Sequence, residues 1–313
     1  MLGNIITTGE QVAVLLVLLM VGFVCGRIGM FNDESINHLS TFALKVVGPC
    51  AIMQSFRRPF DTEMFHSMMA VVALSVICHV LFILSANAFL HDPEPKTQRV
   101  KRYSVIFANC GYMGLPLQQI LFGADGVFYG ASWIIVHQIL TWTYGLVVMS
   151  GDKREVSVRK IFTTPGILAN ITGMLIFLFS ISLPSIIGSP IELFSHLNVP
   201  IPMVISGYFL ARADLKSIWK HADYYLTIAM RLVLLPLLCI GLMYLAQRFF
   251  PLDSTMLVSC IVNAATPIAA AATMFGTLYR QDSKTAANLV SISTILSVLT
   301  LPVMVAIAQS AFS

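Results

Sequence analysis

The chain has 313 residues, of which 57% are hydrophobic and only 11% are charged, with a mean hydropathy of +0.82. A soluble domain carries roughly 25% charged residues and cannot hide so much apolar surface from water, whereas a bilayer solvates it with lipid. The formal net charge of +4 comes from basic residues scattered between apolar runs, which excludes a basic nucleic-acid-binding face. The sequence predicts an all-α polytopic protein of the cell membrane that contacts lipid and no nucleic acid.

Ten apolar segments follow one another along the chain, each about as long as a membrane-spanning helix. Because irregular backbone is not tolerated against lipid, we expect each segment to be helical. The segments run over 8–27, 36–56, 65–90, 103–121, 127–149, 165–183, 190–211, 222–247, 255–278 and 285–310. The first has no Lys or Arg before it, so it is interpreted as a span and not as a cleaved signal peptide.

The Lys and Arg residues of the connections indicate how the segments are oriented. If the N-terminus is outside, only Arg57, Arg58 and Arg248 lie in outer connections. The inner connections then hold Arg27, Lys96, Arg99, Lys101, Arg102, Lys153, Arg154, Arg159, Lys160, Arg212, Lys216, Lys220, Arg280 and Lys284. This asymmetry predicts ten spans with both termini outside.

The two halves of the chain resemble each other. The end of the fifth segment, 131–149, aligns without gaps with the end of the tenth, 287–305, at an offset of 156 residues. Pro116 and Pro267 are separated by a similar offset, 151 residues, which indicates an internal repeat. Five helices per half is an odd number, so similar halves must be inverted, as in secondary transporters. The predicted organisation is a first repeat over 1–150, a cytoplasmic connection over 151–164 and a second repeat over 165–313.

Glycine and proline interrupt the fourth and ninth segments at comparable places in the two halves. Such interruptions break a helix and expose backbone N–H groups, which together with the helix dipole favour an anion. Paired broken helices are the best sequence indication of a transport site, although isolated kinks at Gly and Pro are common in membrane helices. The residues predicted to bind substrate at the two breaks are Asn109, Gly111, Gly114, Pro116, Asn263, Thr266 and Pro267.

Two basic residues and two histidines lie away from the ends of the predicted spans. Lys45 either attracts an anionic substrate, stands where a coupling ion binds, or extends its ammonium to the membrane surface. His79 and His137 either relay protons or pack as neutral side chains. Arg231 is a candidate for coupling or gating, or ties down carbonyls freed by the broken helices. No Asp or Glu lies near the middle of a span, which disfavours sodium coupling.

Five sequence runs are similar to the auxin efflux carrier (AEC) family, which includes the plant PIN auxin exporters and bacterial carriers for malonate, malate and other carboxylates. The runs are ANCGYMGLPL (108–117), HQILTW (137–142), MRLVLLP (230–236), NAATP (263–267) and LTLPVMV (299–305). They extend the resemblance over nearly the whole chain. The long hydrophilic loop of the plant exporters is absent, and Ala108 stands where the plant motif has proline.

The resemblance implies a fold like that of the bile-acid symporters and sodium/proton antiporters. Helices 1, 2, 6 and 7 then form a scaffold, through which two copies dimerise. Helices 3–5 and 8–10 form a transport domain that moves like an elevator, with broken helices 4 and 9 crossing at the substrate. The resemblance places five residues of this chain at substrate-lining positions: Asn109, Pro116, Gln138, Asn263 and Pro267.

The sequence therefore predicts a secondary carrier for small organic anions, such as mono- or dicarboxylates or auxin-like acids. Neither a Walker-type phosphate loop, nor a nucleophile with its base, nor a metal-ligand cluster is found, so we expect no ATP hydrolysis, no enzyme activity, no metal and no cofactor. The six cysteines lie in apolar segments and are expected to be free thiols. The alternatives are a ligand sensor on a transporter fold, a channel, or a sodium-coupled symporter of another amphipathic substrate.

Overall fold

In the computed structural model, which describes residues 2–156, 159, 162–212 and 222–312, the regular elements are all helices. They are α1 (Leu2–Arg27), α2 (Asp33–Phe56), α3 (Thr62–Phe89), α4 (Pro95–Ile106), α5 (Cys110–Ser150), α6 (Pro165–Leu178), α7 (Ser185–His196), α8 (Pro200–Arg212), α9 (Tyr224–Gln247), α10 (Ser254–Ala265), α11 (Ala271–Leu278) and α12 (Ser283–Phe312). Three basic residues used for the orientation, Lys160, Lys216 and Lys220, lie outside the described residues.

Six helical stretches are long and apolar enough to cross a membrane. They are α2, α3, α5, α9, α12 and the stretch Ser185–Arg212, which contains α7 and α8. Shorter apolar helices cover Ala13–Arg27, Pro165–Leu178 and Ser254–Ala265. The prediction of an all-helical, multi-pass membrane protein is confirmed.

One long helix, α5, contains most of two predicted segments. Gly123 interrupts it with φ 60° and ψ −139°, a conformation that glycine adopts without the steric cost of a Cβ atom. The chain turns at this residue, so the two arms of α5 are joined by a sharp corner and not by a loop. The corner explains why only five residues separate the predicted segments 103–121 and 127–149.

Three helices widen into a five-residue π-helical turn shortly before a proline. The turns span Ala43–Val47, Cys110–Gly114 and Met230–Leu234, and the prolines that follow are Pro49, Pro116 and Pro236. Proline lacks an N–H group and its ring clashes with the carbonyl four residues earlier, so the preceding turn opens. Such turns are frequent at functional sites, and two of these hold the intramembrane cations Lys45 and Arg231.

A first group of helices, α1, α2 and α6–α8, packs together through small residues. Gly22 of α1 lies against the backbone of Val204, and Gly207 of α8 lies against the backbone of Leu19. A Cβ atom at either glycine would collide with main-chain atoms that cannot move aside. Close approach at small residues is the usual way for helices to associate in lipid, where apolar burial gives no driving force.

The remaining helices, α3–α5 and α9–α12, form a second group around α10. Every residue of α10 from Met256 to Ala265 is buried, which places this helix at the centre of the core. Large side chains of other helices, such as Trp133 and Phe275, are buried in the same core. The six cysteines are free thiols, in agreement with the prediction.

Candidate functional site

Two extended segments cross in the middle of the second helix group. One lies between α4 and α5, and the other lies between α10 and α11. The N–H of Asn109 donates to the carbonyl of Pro267 at 2.8 Å, and the N–H of Ala269 donates to the carbonyl of Phe107 at 3.0 Å. Ala108 and Ile268 are therefore opposite each other in a short antiparallel bridge. The crossing pairs backbone groups that the helix breaks would otherwise leave unsatisfied.

The two breaks arise differently from the sequence. Pro267 lies in the crossing segment itself, where its missing N–H group stops α10. Thr266 is extended (φ −63°, ψ 152°), and its hydroxyl donates to the Asn263 carbonyl at 2.8 Å. In the first half the crossing segment precedes Gly111, and Pro116 lies beyond it, inside α5. Pro116 and Pro267, which lie 151 residues apart in the two halves, thus occupy different structural positions, and Pro116 shapes the π-helical turn instead.

Arg231 binds the C-terminal ends of both broken helices. Its side chain is completely buried, and it donates from Nε to the carbonyl of Thr266 and from Nη1 to that of Val105, each at 3.1 Å. Nη2 donates to the carbonyl of Ala264. The last carbonyls of a helix carry its negative dipole end and have no partner within the helix. One guanidinium therefore satisfies and neutralises the negative ends of α4 and α10.

The positive ends of the crossing helices are left open. α5 begins after Asn109 and α11 begins after Ala270, and neither residue caps the helix with a side-chain hydrogen bond. Asn109 is half-buried, and no hydrogen bond of its side chain is formed within the described part of the chain. Gly111 is exposed, and a Cβ atom there would meet nothing within 4 Å. Free N–H groups at such an end attract an anion.

Asn263 lies behind the crossing and not on its open side. It is completely buried, its amide Nδ2 donates to the Gly130 carbonyl at 3.3 Å, and its Oδ1 has no partner among the described residues. Oδ1 lies against Gly114, where a Cβ atom would collide with it. Cys110 donates from Sγ to the Asn263 carbonyl at 3.6 Å. The predicted residues Asn263, Gly114 and Thr266 thus hold the two breaks together.

Two predicted substrate ligands are placed elsewhere. The amide of Gln138 packs on Gly166 of α6, in the contact between the two helix groups, and its Oε1 has no partner among the described residues. Lys45 is exposed on α2 beside exposed Leu44. Among the described residues, no hydrogen bond joins either side chain to the crossing segments.

The two intramembrane histidines meet. His79 of α3 and His137 of α5 are both buried, with 3.2 Å between His79 Nε2 and His137 Nδ1. His137 packs edge-on against Phe107 of the crossing segment, with ring centroids 5.6 Å apart. The imidazole pair therefore borders the crossing.

Ser293 is a site residue that the sequence reasoning missed. Its hydroxyl accepts a hydrogen bond from the N–H of Ile268 in the crossing segment at 3.2 Å. The repeat offset of 156 residues aligns Ser293 with His137, so the alignment contained the signal that both positions face the crossing.

A narrow apolar cleft with a volume of about 40 Å³ lies beside the π-helical turn of α5, between the two helix groups. Helices α1 and α8 form one wall, and α5 and α12 form the other. The lining includes Leu15, Leu19, Met113, Leu117, Met203 and Leu301. Through Met113, the cleft reaches the π-helical turn that also contains Gly111.

The long apolar helices and the crossing breaks define a multi-pass membrane protein with a transporter-like centre. A family model described as membrane transport protein matches the chain twice, over residues 7–159 and 154–305. The chain belongs to this family, the auxin efflux carrier family, which confirms the resemblance seen in its motifs. It is also 25% identical over 302 residues to an uncharacterized transporter of Methanothermobacter thermautotrophicus, covering 94% of this chain and 96% of that protein.

Proposed function

We propose that the protein is a secondary transporter that carries small organic anions, such as mono- or dicarboxylates or auxin-like acids. The observation that carries the proposal is the unequal treatment of the helix ends at the crossing. Arg231 neutralises the two negative ends, whereas the two positive ends have no side-chain cap. The uncapped positive helix ends therefore create a positive electrostatic potential at the crossing. In surroundings of low dielectric constant, this potential favours a negatively charged ligand.

The proposed substrate has a carboxylate and an organic body. Its carboxylate binds the open N–H groups near Gly111 with the amide of Asn109. Its apolar part lies against the apolar side chains at the edge of the neighbouring cleft, Met113 and Leu117. A site that combines a few polar groups with an apolar lining is typical for small molecules. We place Pro116, Asn263, Thr266 and Pro267 in the frame of this site.

We further propose that the twelve helices form ten spans in two inverted repeats. In this arrangement α4 and the first arm of α5 are span four, α7 and α8 are span seven, and α10 and α11 are span nine. The two successive family matches, which meet at residues 154–159, support the division into halves. Both termini lie outside, and 151–164 is the cytoplasmic connection.

The two helix groups support transport by an elevator movement. The scaffold consists of α1, α2 and α6–α8, through which two copies dimerise, and the second group carries the crossing past it. Arg231 occupies carbonyls that a coupling cation would otherwise bind, so we expect transport that does not need sodium. A ligand sensor with the same fold would bind the anion without moving it.

Anion binding can be tested by thermal stability of the purified protein, because a ligand of the native state raises apparent stability by mass action. We expect a shift with a series of carboxylates and none with the matching neutral amides. Flux of the best anion into liposomes, with and without sodium, then distinguishes a carrier from a sensor. A shift with the amides equal to that with the acids contradicts the anion site.

Two matched glycine variants locate the site. Neither Gly111 nor Gly241, an exposed residue of α9, has an atom within 4 Å of an added Cβ. We expect Gly111→Leu to fold but to lose at least tenfold in anion affinity, because its side chain enters the proposed site. Gly241→Leu should behave like the wild type. Equal anion affinity in both variants would refute the proposed location.

A further inference from the structure

The two buried histidines form a hydrogen-bonded pair that is anchored to the Ser75 carbonyl of α3. His79 Nδ1 lies 2.7 Å from the carbonyl of Ser75, which can only accept, so Nδ1 carries a hydrogen atom. In a neutral His79, Nε2 is then an acceptor, and His137 Nδ1 donates to it across 3.2 Å. The hydroxyl of Ser75 donates to the Trp133 carbonyl at 3.2 Å. The geometry fixes both tautomers and leaves His137 Nε2 with a free lone pair.

Among the described residues, Arg231 is the one charged side chain near the histidine pair. His79 packs on Phe82 with ring centroids 5.6 Å apart, and the guanidinium carbon of Arg231 lies 5.5 Å from the centroid of the same Phe82 ring. Arg231, from α9, is the charged group that acts on both imidazoles. The other titratable groups nearby are the neutral phenol of Tyr103 on α4, which stacks on Phe107, and the thiol of Cys78 on α3.

A proton on the pair is unfavourable in the empty carrier. It would add a second buried positive charge close to Arg231, and burying an uncompensated charge is costly. An anion at the crossing changes this balance, because it supplies the missing negative charge. His137 borders the crossing through Phe107, and its repeat counterpart Ser293 binds the crossing segment directly.

We infer that the His79–His137 pair is a proton-binding site that couples proton occupancy to anion occupancy, an inference that rests on the proposed anion transport. The proton binds at His137 Nε2, because His137, with 8% exposure, is the less buried of the two imidazoles. His137 then becomes an imidazolium that still donates from Nδ1 to His79. By thermodynamic linkage, the factor by which the bound anion raises the affinity for the proton equals the factor by which the bound proton raises the affinity for the anion. The carrier therefore takes up a proton with the anion and releases both on the other side.

The coupling can be measured in liposomes that contain a pH-sensitive dye. The membrane potential is held at zero with potassium and valinomycin. The anion identified by thermal stability is then added outside the liposomes, so that its concentration is higher outside than in the lumen. We expect the wild type to acidify the lumen by about one proton per anion, and protein-free liposomes to show the passive entry of the acid. His137→Gln and His79→Gln should each lower the proton-to-anion ratio at least fivefold.

Exposed His38 on α2 offers the matched control, and His38→Gln should keep the wild-type ratio. Anion flux without protons in the wild type would overturn the coupling while leaving the proposed function intact. A full ratio in both His137→Gln and His79→Gln would overturn the assignment to this pair. Absence of anion flux in the wild type would overturn the proposed function, and the inference with it.

Discussion

Replacing Arg231 by methionine should destabilise the protein severely. Methionine keeps much of the side-chain volume but removes three donors, so the carbonyls of Val105, Ala264 and Thr266 lose their partner. An unsatisfied buried polar group costs about 1–3 kcal/mol, which gives about 3–9 kcal/mol for three carbonyls. Typical domains are stable by only about 5–15 kcal/mol, so the loss is a large fraction of the total.

The stability of purified variants can be compared by unfolding in mixed micelles, followed by tryptophan fluorescence, to which buried Trp133 contributes. Arg231→Lys keeps the charge but not the planar three-way donor, so we expect an intermediate loss. Arg248 at the end of α9 interacts with Tyr244 on the surface, and Arg248→Met is the control with little effect. An Arg231→Met protein within about 1 kcal/mol of the wild type would refute this account of the crossing.

Three further predictions concern the site and its edges. Gly114→Ala should destabilise by about 1–3 kcal/mol because its Cβ collides with Asn263 Oδ1, and Asn263→Ala in the same chain should restore part of the loss in the same unfolding assay. Asn109→Ala should abolish flux with unchanged stability, whereas Asn263→Ala should lose flux and stability together; wild-type flux in both reconstituted variants contradicts the site. Burial alone would raise the pKa of Asp92, but the hydrogen bond from Lys101, at 2.7 Å, holds it below its usual range. Stability from this pair is thus present at neutral pH and lost as pH falls below about 4, and Asp92→Asn should flatten the acid limb of a stability profile.

The sequence was most informative where local chemistry decides the structure. The break at Thr266–Pro267 follows from proline alone, and the segment hydropathy predicts the helices because lipid tolerates little else. The paired prolines also marked real features, although Pro116 produces a wider turn and not the break. The sequence indicates that Arg231 is an intramembrane cation that either binds carbonyls freed by the broken helices or takes part in coupling or gating. The structure shows the three carbonyls that it binds.

Long-range register could not be obtained from the sequence. The bridge between Ala108 and Ile268 joins residues that are far apart in the chain, and neither side chain is distinctive. The first break falls at Phe107–Asn109, which contains no glycine or proline, because the pairing with the second segment replaces the lost helical hydrogen bonds. The contact of His79 with His137 likewise depends on how α3 and α5 pack, and the sequence around either histidine does not indicate the other as its partner.

The glycines that join α1 to α8 have a consequence for how the protein is made. Gly22 and Gly207 lie 185 positions apart, and the surface that each offers is a bare backbone groove shaped for the other helix. Translation at about 5–20 residues per second separates their synthesis by roughly 10–40 s. During that interval the first helix stands in the bilayer with its groove filled only by lipid or by a chaperone. Helix α1, which is synthesised first, must therefore wait until α8 has been inserted before it can pack against its partner.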